Sequence, residues 1–501
     1  MSDSDWRQLI VRLMNFIGGQ WCEPIEGRYD LDYNPATFEV YAEVPDSSEQ
    51  DLDLALNAAR NAFKTWRLVP APARGEMLFR VAHMLEERKE DLAKKMCLDM
   101  GKVLVEARGD VQEGIDMAYY MAGEGRRTFG QTTPSELLSK FAMALRDPIG
   151  VAAIITPWNF PMAIPTWKIF PALVTGNTVV FKPDSKAPVL AYELVKILQE
   201  AGFPKGTVNL VFGQGKTVGE AMLADPRVDL ISFTGSTQTG RHIAAKAGEQ
   251  LKRVSLELGG KNAIIVLNDA NLDLAVDGIV WSAFGTTGQR CTACSRIIVQ
   301  EGIHDELKER LLDRMKTLKL GEGRNESVDV GPLVSQEALN KVERYVAIGR
   351  GEGARLEIGG ERWNQGADSP GWYYLPTLFT DVNPSMRIAQ EEIFGPVLSM
   401  IKVKDLDEAV RINNQVTYGL SSSLFTENVN ATFQAIRDLM TGIVYINAGT
   451  TGAEIHLPFG GVRGTGNGHR EAGGAAIDFF TEWKAVYVDY SGRLQRAQID
   501  D

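Results

Sequence analysis

Cysteine is scarce in this chain, which has four in 501 residues. Four are too few for a disulfide framework in a protein of this length, so the sequence points to a reducing compartment and we expect a cytoplasmic protein. Histidine is nearly as rare, with five residues that form no ligand-spaced cluster. We therefore expect no metal site.

Cationic residues are also in deficit. Lys and Arg number 53 against 65 Asp and Glu, giving a net charge of −12 and an isoelectric point near 5.2. Phosphate contacts need clustered Lys and Arg, so we expect no nucleic-acid partner. No run approaches the roughly 18 apolar residues of a membrane span. The opening MSDSDWRQLIVRLMNF lacks the apolar core of a secretory signal, so we expect no membrane association.

What the chain does have is the composition of an ordinary globular protein, with 44% hydrophobic and 24% charged residues. Its length predicts two or three domains. Residues 54–93 carry helical spacing broken at Pro70 and Pro72. From Gly150 onward, short β-branched runs such as GVAAIITPW and TGNTVVFKP alternate with helical stretches. This alternation predicts a parallel, doubly wound α/β sheet, and a second one begins near NAIIVL.

Two glycine-rich stretches are candidates for binding a cofactor phosphate. GQGKTVG, at 213–219, has Leu210 where a Walker A loop needs glycine, and its third glycine comes one residue late for G-x-G-x-x-G. We do not expect phosphate binding there. FTGSTQTGRHIAAKA, at 233–247, follows an apolar strand and opens a helix at Gly235–Ser236, where free N–H groups favour a pyrophosphate. Spacing alone fits a plain strand-to-helix turn equally well.

The stretch FGTTGQRCTACSR, at 284–296, spaces two cysteines as Cys-x-x-Cys. A zinc ribbon would need a second ligand pair, and Cys22 and Cys97 stand alone. A thioredoxin-like pair is possible, although nothing nearby indicates the small domain that carries one. A third interpretation is a single working thiol at Cys291, because Arg290 and the loop amides would favour the thiolate.

Four further motifs occur in order: TPWNFPMAIPTWK, VSLELGGKN, GQRC and EEIFGPV. Together they resemble the aldehyde dehydrogenase superfamily, and the resemblance extends from Asn34 to Pro458. It implies an α/β fold with two Rossmann-type doubly wound domains and a small β oligomerisation arm. The implied activity is the NAD- or NADP-dependent oxidation of an aldehyde to a carboxylic acid.

The resemblance assigns a role to each matched catalytic residue. Cys291 would be the nucleophile, forming a thiohemiacetal and then a thioester, with Cys294 as a bystander. Asn159 and the backbone N–H of Cys291 would hold the oxyanion. Glu257 would activate the hydrolytic water, and Lys168 would support both groups. Without the resemblance, Lys168 could equally be a solvated helix lysine. Glu257 could be a surface carboxylate, but its apolar, glycine-rich surroundings favour burial and a raised pKa.

The resemblance also implies a set of cofactor residues. Lys182 matches a ligand of the adenosine ribose, Gly235 and Ser236 match the pyrophosphate site, and Glu392 matches a ligand of the nicotinamide ribose. The other matched positions are Trp158, Leu258 and Phe394. Members strict for NAD often carry Glu where this chain has Ser185, so we expect NADP to be tolerated, although Asp184 could restore some repulsion of a 2′-phosphate.

For the substrate, the chain looks most like the branches that oxidise α-aminoadipic or α-ketoglutaric semialdehyde. There Glu113 and Arg290 would bind the charged end of the substrate, and the loop 449–454 would anchor its carboxylate by backbone N–H groups. The implied substrate residues are Glu113, Arg290, Thr292, Gly449, Thr450, Thr451, Gly452, Ala453 and Phe459. His456, Leu457 and Pro458 depart from the first branch, so a generic aldehyde funnel remains an alternative.

Family architecture implies a cofactor-binding domain from 1–124 and 148–257, a catalytic domain from 258–470, and an arm from 125–147 and 471–501. The strand-like pieces QTTPSELLSKFAMALRDP and FFTEWKAVYVDYSG would build the arm, so we expect a homodimer or homotetramer. Two rival functions are a non-catalytic relative and a CoA-acylating dehydrogenase. Retention of Cys291, Glu257 and Asn159 argues against the first, and Glu257 argues against the second.

Overall fold

The computed structural model describes residues 10–364 and 370–499. In chain order the strands are β1 (Val11–Arg12), β2 (Asn15–Ile17), β3 (Gln20–Cys22), β4 (Tyr29–Tyr33), β5 (Val40–Pro45), β6 (Gln131–Pro134), β7 (Lys140–Pro148), β8 (Val151–Ile155), β9 (Thr178–Lys182), β10 (Val208–Leu210), β11 (Leu230–Thr234), β12 (Arg253–Glu257), β13 (Asn262–Val266), β14 (Cys294–Gln300), β15 (Arg355–Ile358), β16 (Thr377–Thr380), β17 (Val397–Val403), β18 (Ser421–Phe425), β19 (Ile443–Ile446) and β20 (Thr481–Asp489).

The helices are α1 (Glu49–Trp66), α2 (Ala71–Met100), α3 (Leu104–Glu124), α4 (Ala163–Thr175), α5 (Pro188–Glu200), α6 (Glu220–Ala224), α7 (Thr237–Glu249), α8 (Leu272–Phe284), α9 (His304–Lys316), α10 (Gln336–Gly351), α11 (Arg387–Gln390), α12 (Leu406–Asn414), α13 (Val429–Asp438) and α14 (Gly473–Phe479). Within the described ranges, none of these helices has the combination of length and apolar character needed to span a bilayer.

The first large sheet has seven strands in the order β12-β11-β8-β9-β10-β2-β3. Its five strands from β12 to β10 are parallel, and β2 and β3 continue it as antiparallel strands. The chain order reverses between β8 and β11. In such sheets the crevice beyond the carboxyl ends of the strands at this reversal is the usual place for a ligand.

The second large sheet also has seven strands, in the order β15-β16-β17-β14-β13-β18-β19. All neighbouring pairs from β16 to β19 are parallel, and only β15 is antiparallel to its neighbour. The apolar strands of both sheets are buried between helices, as parallel sheets require. The predicted fold class is therefore confirmed.

Two smaller sheets complete the structure. One has the order β20-β7-β6 and joins chain segments more than 300 residues apart, with β20 antiparallel to β7 along nine residues. The other, β1-β5-β4, lies before the helical stretch of residues 54–93, where the sequence analysis predicted no strands. Because β1, β2 and β3 have only two or three residues each, alternation could not reveal them.

Sheet membership alone does not define where one domain ends and the next begins. The boundaries near 124, 147, 257 and 470 therefore stay predictions. What matters for function is the short link from Glu257, the last residue of β12, to Asn262, the first residue of β13. Four residues carry the chain from the carboxyl edge of the first sheet to the amino edge of the second.

Candidate active site

Two cavities meet at Cys291. The larger, of about 570 Å³, is lined by residues that follow β8 and β11 and by others from α6, α7 and α10. The smaller, of about 200 Å³, is lined by residues of α3, α4 and the loop that follows β19. Ile164, Thr234, Leu258 and Cys291 line both. A thiol at this boundary can reach a ligand in either cavity.

The loop that carries Cys291 has an unusual backbone. Thr286 and Thr287 have φ of +49° and +57°, and Gly288 has φ of +70°. A left-handed conformation is rare for β-branched residues. At Gly288 glycine is required, because a Cβ there would lie 2.3 Å from the carbonyl oxygen of Gly395.

The backbone of Cys291 is held by Asn262, whose side-chain Nδ2 donates to the carbonyl of Cys291 at 2.7 Å. The thiol itself is protonated at neutral pH, because burial raises its pKa to about 12, with the charges of Glu257 and Glu392 adding to the shift. Our expectation that Arg290 favours the thiolate is wrong. Its guanidinium turns away to an ion pair with Glu106, at 3.0 Å.

Glu257 is 3% exposed, and neither of its carboxylate oxygens has a hydrogen-bond partner among the described residues. Burial raises its pKa well above the ordinary value, and the neighbouring charge of Glu471 raises it further. Lys168 and Arg470 oppose the shift. An unpaired carboxyl in a cavity wall is able to accept a proton from a thiol or a water molecule at neutral pH.

Lys168 is fully buried and lines neither cavity. Its ammonium forms an ion pair with Glu471 and donates to Ser232 Oγ at 3.0 Å. Glu471 lines the smaller cavity and was missed by the sequence analysis, since it lies 303 residues from Lys168. No local motif indicates a contact over that separation.

Asn159 follows β8 and is 3% exposed. Its Nδ2 donates to the carbonyl of Gln289 at 2.9 Å, which ties it to the loop of Cys291. An amide NH₂ has two hydrogens, so this bond leaves one for a ligand. Asn159 and Cys291 both line the larger cavity.

All the residues expected to bind the cofactor line the larger cavity: Trp158, Lys182, Ser185, Gly235, Ser236, Leu258, Glu392 and Phe394. Ser236 caps α7 by accepting from the N–H of Thr239 at 3.2 Å. The Glu392 carboxylate accepts from the N–H of Gly260 at 2.9 Å. The rings of Trp158 and Phe394 meet edge to face, 5.7 Å apart.

The stretch GQGKTVG also lies in this wall, which the motif spacing did not lead us to expect. Gly213, Gln214, Gly215 and Gly219 line the larger cavity. The loop forms a single π-helical turn over 215–219 rather than a phosphate-binding loop of a known spacing. Its position depends on the neighbouring strands, which short-motif matching does not consider.

Seven of the nine expected substrate residues line the smaller cavity: Glu113, Arg290, Thr292, Thr451, Gly452, Ala453 and Phe459. Gly449 and Thr450 do not, so the expectation that they line it is corrected. The Thr450 N–H donates to Ser282 Oγ at 3.0 Å, and its hydroxyl donates to the carbonyl of Thr292 at 2.7 Å. These two residues hold the loop against α8 and leave no N–H at Thr450 for a ligand.

Comparison with known proteins now adds to this geometry. The sequence profile of the aldehyde dehydrogenase family matches residues 21–486. The chain belongs to the aldehyde dehydrogenase family. It is 42% identical to an α-ketoglutaric semialdehyde dehydrogenase of Bacillus subtilis, covering 95% of this chain and 98% of the relative. It is 41% identical to an α-ketoglutarate semialdehyde dehydrogenase of Haloferax volcanii, covering 95% and 99%.

Solved structures agree with this assignment. An NAD-dependent aldehyde dehydrogenase from Sinorhizobium meliloti superposes with a TM-score of 0.95 at 37% identity, covering 99% of this chain and 98% of that one. A betaine aldehyde dehydrogenase from Staphylococcus aureus, solved in complex with NAD⁺, gives 0.94 at 35% identity, covering 96% of both chains. The expectation of an aldehyde dehydrogenase is therefore confirmed, while the roles of individual residues stay predictions.

The two cysteines of the Cys-x-x-Cys pair differ in a way that experiment can resolve. Cys294 is 2% exposed within β14 and donates to the carbonyl of Arg296, whereas Cys291 faces both cavities. We expect Cys291→Ala to abolish aldehyde-dependent reduction of NAD(P). Cys294→Ala should keep the rate within about threefold and lose about 1 kcal/mol of stability. Steady-state absorbance at 340 nm and thermal unfolding measure both; the reverse result would exchange the two assignments.

Proposed function

We propose that this protein oxidises an ω-semialdehyde of an amino or keto acid to the carboxylic acid with NAD or NADP, by covalent catalysis at Cys291. The observation that carries the proposal is the position of this thiol between a cavity of dinucleotide size and a smaller one. The proposed place of action is the cytoplasm. The relatives named above support the substrate class.

The residues of the larger cavity fit a nicotinamide dinucleotide. The Lys182 ammonium is buried, and among the described residues its one hydrogen bond is a long one, 3.4 Å, to the carbonyl of Pro183, so it is available to ribose hydroxyls. The amino end of α7 presents N–H groups to a pyrophosphate. Ser185 lines the cavity without a negative charge, which favours tolerance of a 2′-phosphate, while neighbouring Asp184 opposes it. When bound, the nicotinamide supplies a hydride acceptor.

In the proposed reaction, the Cys291 thiol releases its proton to solvent and the sulfur attacks the aldehyde carbon. The free amide hydrogen of Asn159 and the N–H of Cys291 then hold the oxyanion, a contribution of about 10²–10³ in rate. Departure of the hydride leaves a thioester on Cys291. Glu257 takes a proton from water, which attacks the thioester and releases the acid. Lys168, paired with Glu471, limits the rise in the pKa of Glu257.

The smaller cavity supports a substrate with a negatively charged end. The Arg290 guanidinium uses Nε for Thr286 and Nη2 for Glu106, which leaves Nη1 without a partner among the described residues. The carboxyl of Glu113 is protonated at neutral pH, because burial and Asp110 raise its pKa to about 8. A protonated carboxyl and a guanidinium can both donate to a substrate carboxylate.

A broad-specificity aldehyde dehydrogenase is the alternative that the apolar lining of the cavity supports, through Trp167, Phe459 and Trp281. Comparing kcat/KM for adipic, glutaric and succinic semialdehydes with that for hexanal distinguishes the two. A CoA-acylating enzyme would require CoA for NADH formation, whereas the unpaired carboxyl of Glu257 favours water as the acceptor.

The role of Glu257 is testable by transient kinetics. Glu257→Gln keeps the size of the side chain but removes the proton acceptor, so deacylation should slow by about 10²–10⁴. We expect a burst of NADH close to one equivalent per active site, followed by a slow steady state, in stopped-flow absorbance. A control is Glu249→Gln, at an exposed carboxylate paired with Lys246. An unchanged steady-state rate would contradict the proposal; a lost burst in folded protein would move the role to thiol activation.

The pKa of Glu113 predicts how substrate binding depends on pH. Below about pH 8 its carboxyl is protonated and donates to the substrate; above that value it is ionised and repels a carboxylate. The KM for glutaric semialdehyde should therefore rise about tenfold between pH 7 and pH 9, the equivalent of about 1.4 kcal/mol. The KM for hexanal should stay flat. Glu113→Gln should remove the rise, and its persistence in that variant would contradict the assignment.

A homodimer or homotetramer is proposed from the β20-β7-β6 sheet, which exposes Phe141, Leu145, Trp483, Tyr487 and Val488. Phe141, Leu145 and Val488 lie on one face of this sheet and Trp483 and Tyr487 on the other. Exposed apolar side chains of this kind favour pairing with a second copy. Light scattering at micromolar concentration should give a multiple of 55.1 kDa. Tyr487→Glu should lower the mass, while Leu251→Glu, at an exposed apolar residue outside the sheet, should leave it unchanged. A wild-type monomer would contradict the proposal.

A further inference from the structure

Glu106 lies in the first turn of α3, and its side chain is 2% exposed. Its carboxylate accepts from the N–H of Thr286 at 2.8 and 3.0 Å and from the Thr286 hydroxyl at 2.9 Å. It also forms the 3.0 Å ion pair with Arg290. All its partners belong to the loop before Cys291.

The loop needs such an anchor because its backbone is strained. The left-handed region is unfavourable for β-branched residues, and Thr286 and Thr287, which both adopt it, are adjacent. Glu106 binds the first of them. Thr287 is held by its hydroxyl, which donates to the carbonyl of Gly331 at 2.9 Å. Loss of the hydrogen bonds from Thr286 to Glu106 would release the strained part of the loop, which lies five residues before Cys291.

The same carboxylate fixes the guanidinium of Arg290. The guanidinium carbon lies 5.0 Å from the ring centre of Trp281 and 5.8 Å from that of Phe160. Its Nε donates at 2.9 Å to the Thr286 hydroxyl, which in turn donates to Glu106. The orientation of Arg290 therefore depends on Glu106 through two routes, one direct and one through Thr286.

We propose that Glu106 is a positioning residue with two effects. By holding the 285–290 loop in place it fixes the position of Cys291, and by orienting Arg290 it determines the substrate preference. The second half rests on the proposed function, because it assigns Arg290 to the charged end of the aldehyde. The first half concerns Cys291 alone and needs no knowledge of the substrate.

Two measurements separate these halves. The first is the pH profile of Cys291 alkylation by iodoacetamide, followed by the mass of the peptide. The second is the ratio of kcat/KM for glutaric semialdehyde to that for hexanal. In Glu106→Gln a loosened loop should admit water to the thiol, so the alkylation midpoint should fall by at least one pH unit. The preference ratio should fall at least tenfold, because a side-chain amide cannot pair with Arg290.

Matched variants complete the test. Arg290→Gln should lower the preference ratio with a smaller effect on alkylation, because the Glu106 bonds to Thr286 remain. Glu106→Asp keeps the negative charge and should recover part of the preference for glutaric semialdehyde over hexanal. The same variant tests the proposal if Glu106→Gln fails to fold. Glu90→Gln is the control, at an exposed carboxylate paired with Arg108.

A purely structural role would lower the melting temperature and the number of titratable active sites, leaving the alkylation midpoint and the ratio unchanged. That result in folded Glu106→Gln would overturn the proposal. If the wild-type enzyme shows no preference for the charged aldehyde, the proposed substrate class fails instead. The alkylation profile then still decides whether Glu106 pins the loop.

Discussion

The burial of two ionisable groups, Cys291 and Glu257, in the wall of the smaller cavity is the constraint on which the rest of the site depends. Burial raises the pKa of both the Cys291 thiol and the Glu257 carboxyl, because a cavity wall of low polarity disfavours a thiolate and a carboxylate alike. Each charge would also raise the other's pKa. The cavity wall therefore disfavours two negative charges at once. Lys168 stays close enough to moderate the shift, yet its pairing with Glu471 prevents it from fixing the charge on Glu257 permanently.

Glu257 lies close to Cys291 because the chain crosses between the two large sheets in four residues. Two of these have to be glycine. A Cβ at Gly259 would lie 2.4 Å from Oε2 of Glu392, and one at Gly260 would lie 2.6 Å from the carbonyl oxygen of Cys291. Without side chains at these two positions, the link between β12 and β13 allows Glu257, Cys291 and Glu392 to approach one another. The topology brings these three residues to the place where the two sheets meet, and the two glycines allow the backbone to approach them closely.

The sequence was sufficient for the parallel sheets and for residues inside contiguous motifs, because apolar runs and motif spacing are local properties. It was insufficient where a contact joins distant segments. Glu106 meets Thr286 across 180 residues, and Glu471 meets Lys168 across 303. Arg290 stands beside Cys291 in sequence, and adjacency suggested a cation that lowers the thiol pKa. Its partner is Glu106 on α3, and the pKa of the Cys291 thiol is raised rather than lowered. The strands β1, β2 and β3 were not predicted because two or three residues are too few to show an alternating pattern.

The charges of the smaller cavity explain how so many acids can surround a site proposed for an anionic substrate. Five carboxyl groups line it: Glu106, Asp110, Glu113, Glu257 and Glu471. Three are neutralised by buried cations, through the pairs Arg290–Glu106, Lys102–Asp110 and Lys168–Glu471. Burial raises the pKa of the remaining two, to about 8 for Glu113 and well above the ordinary value for Glu257. The cavity is therefore closer to neutral than its composition suggests, and Arg290 is the one cationic donor toward a carboxylate among its described lining residues. Because protonation supplies this neutrality, a substrate anion encounters little repulsion until the proton on Glu113 is lost.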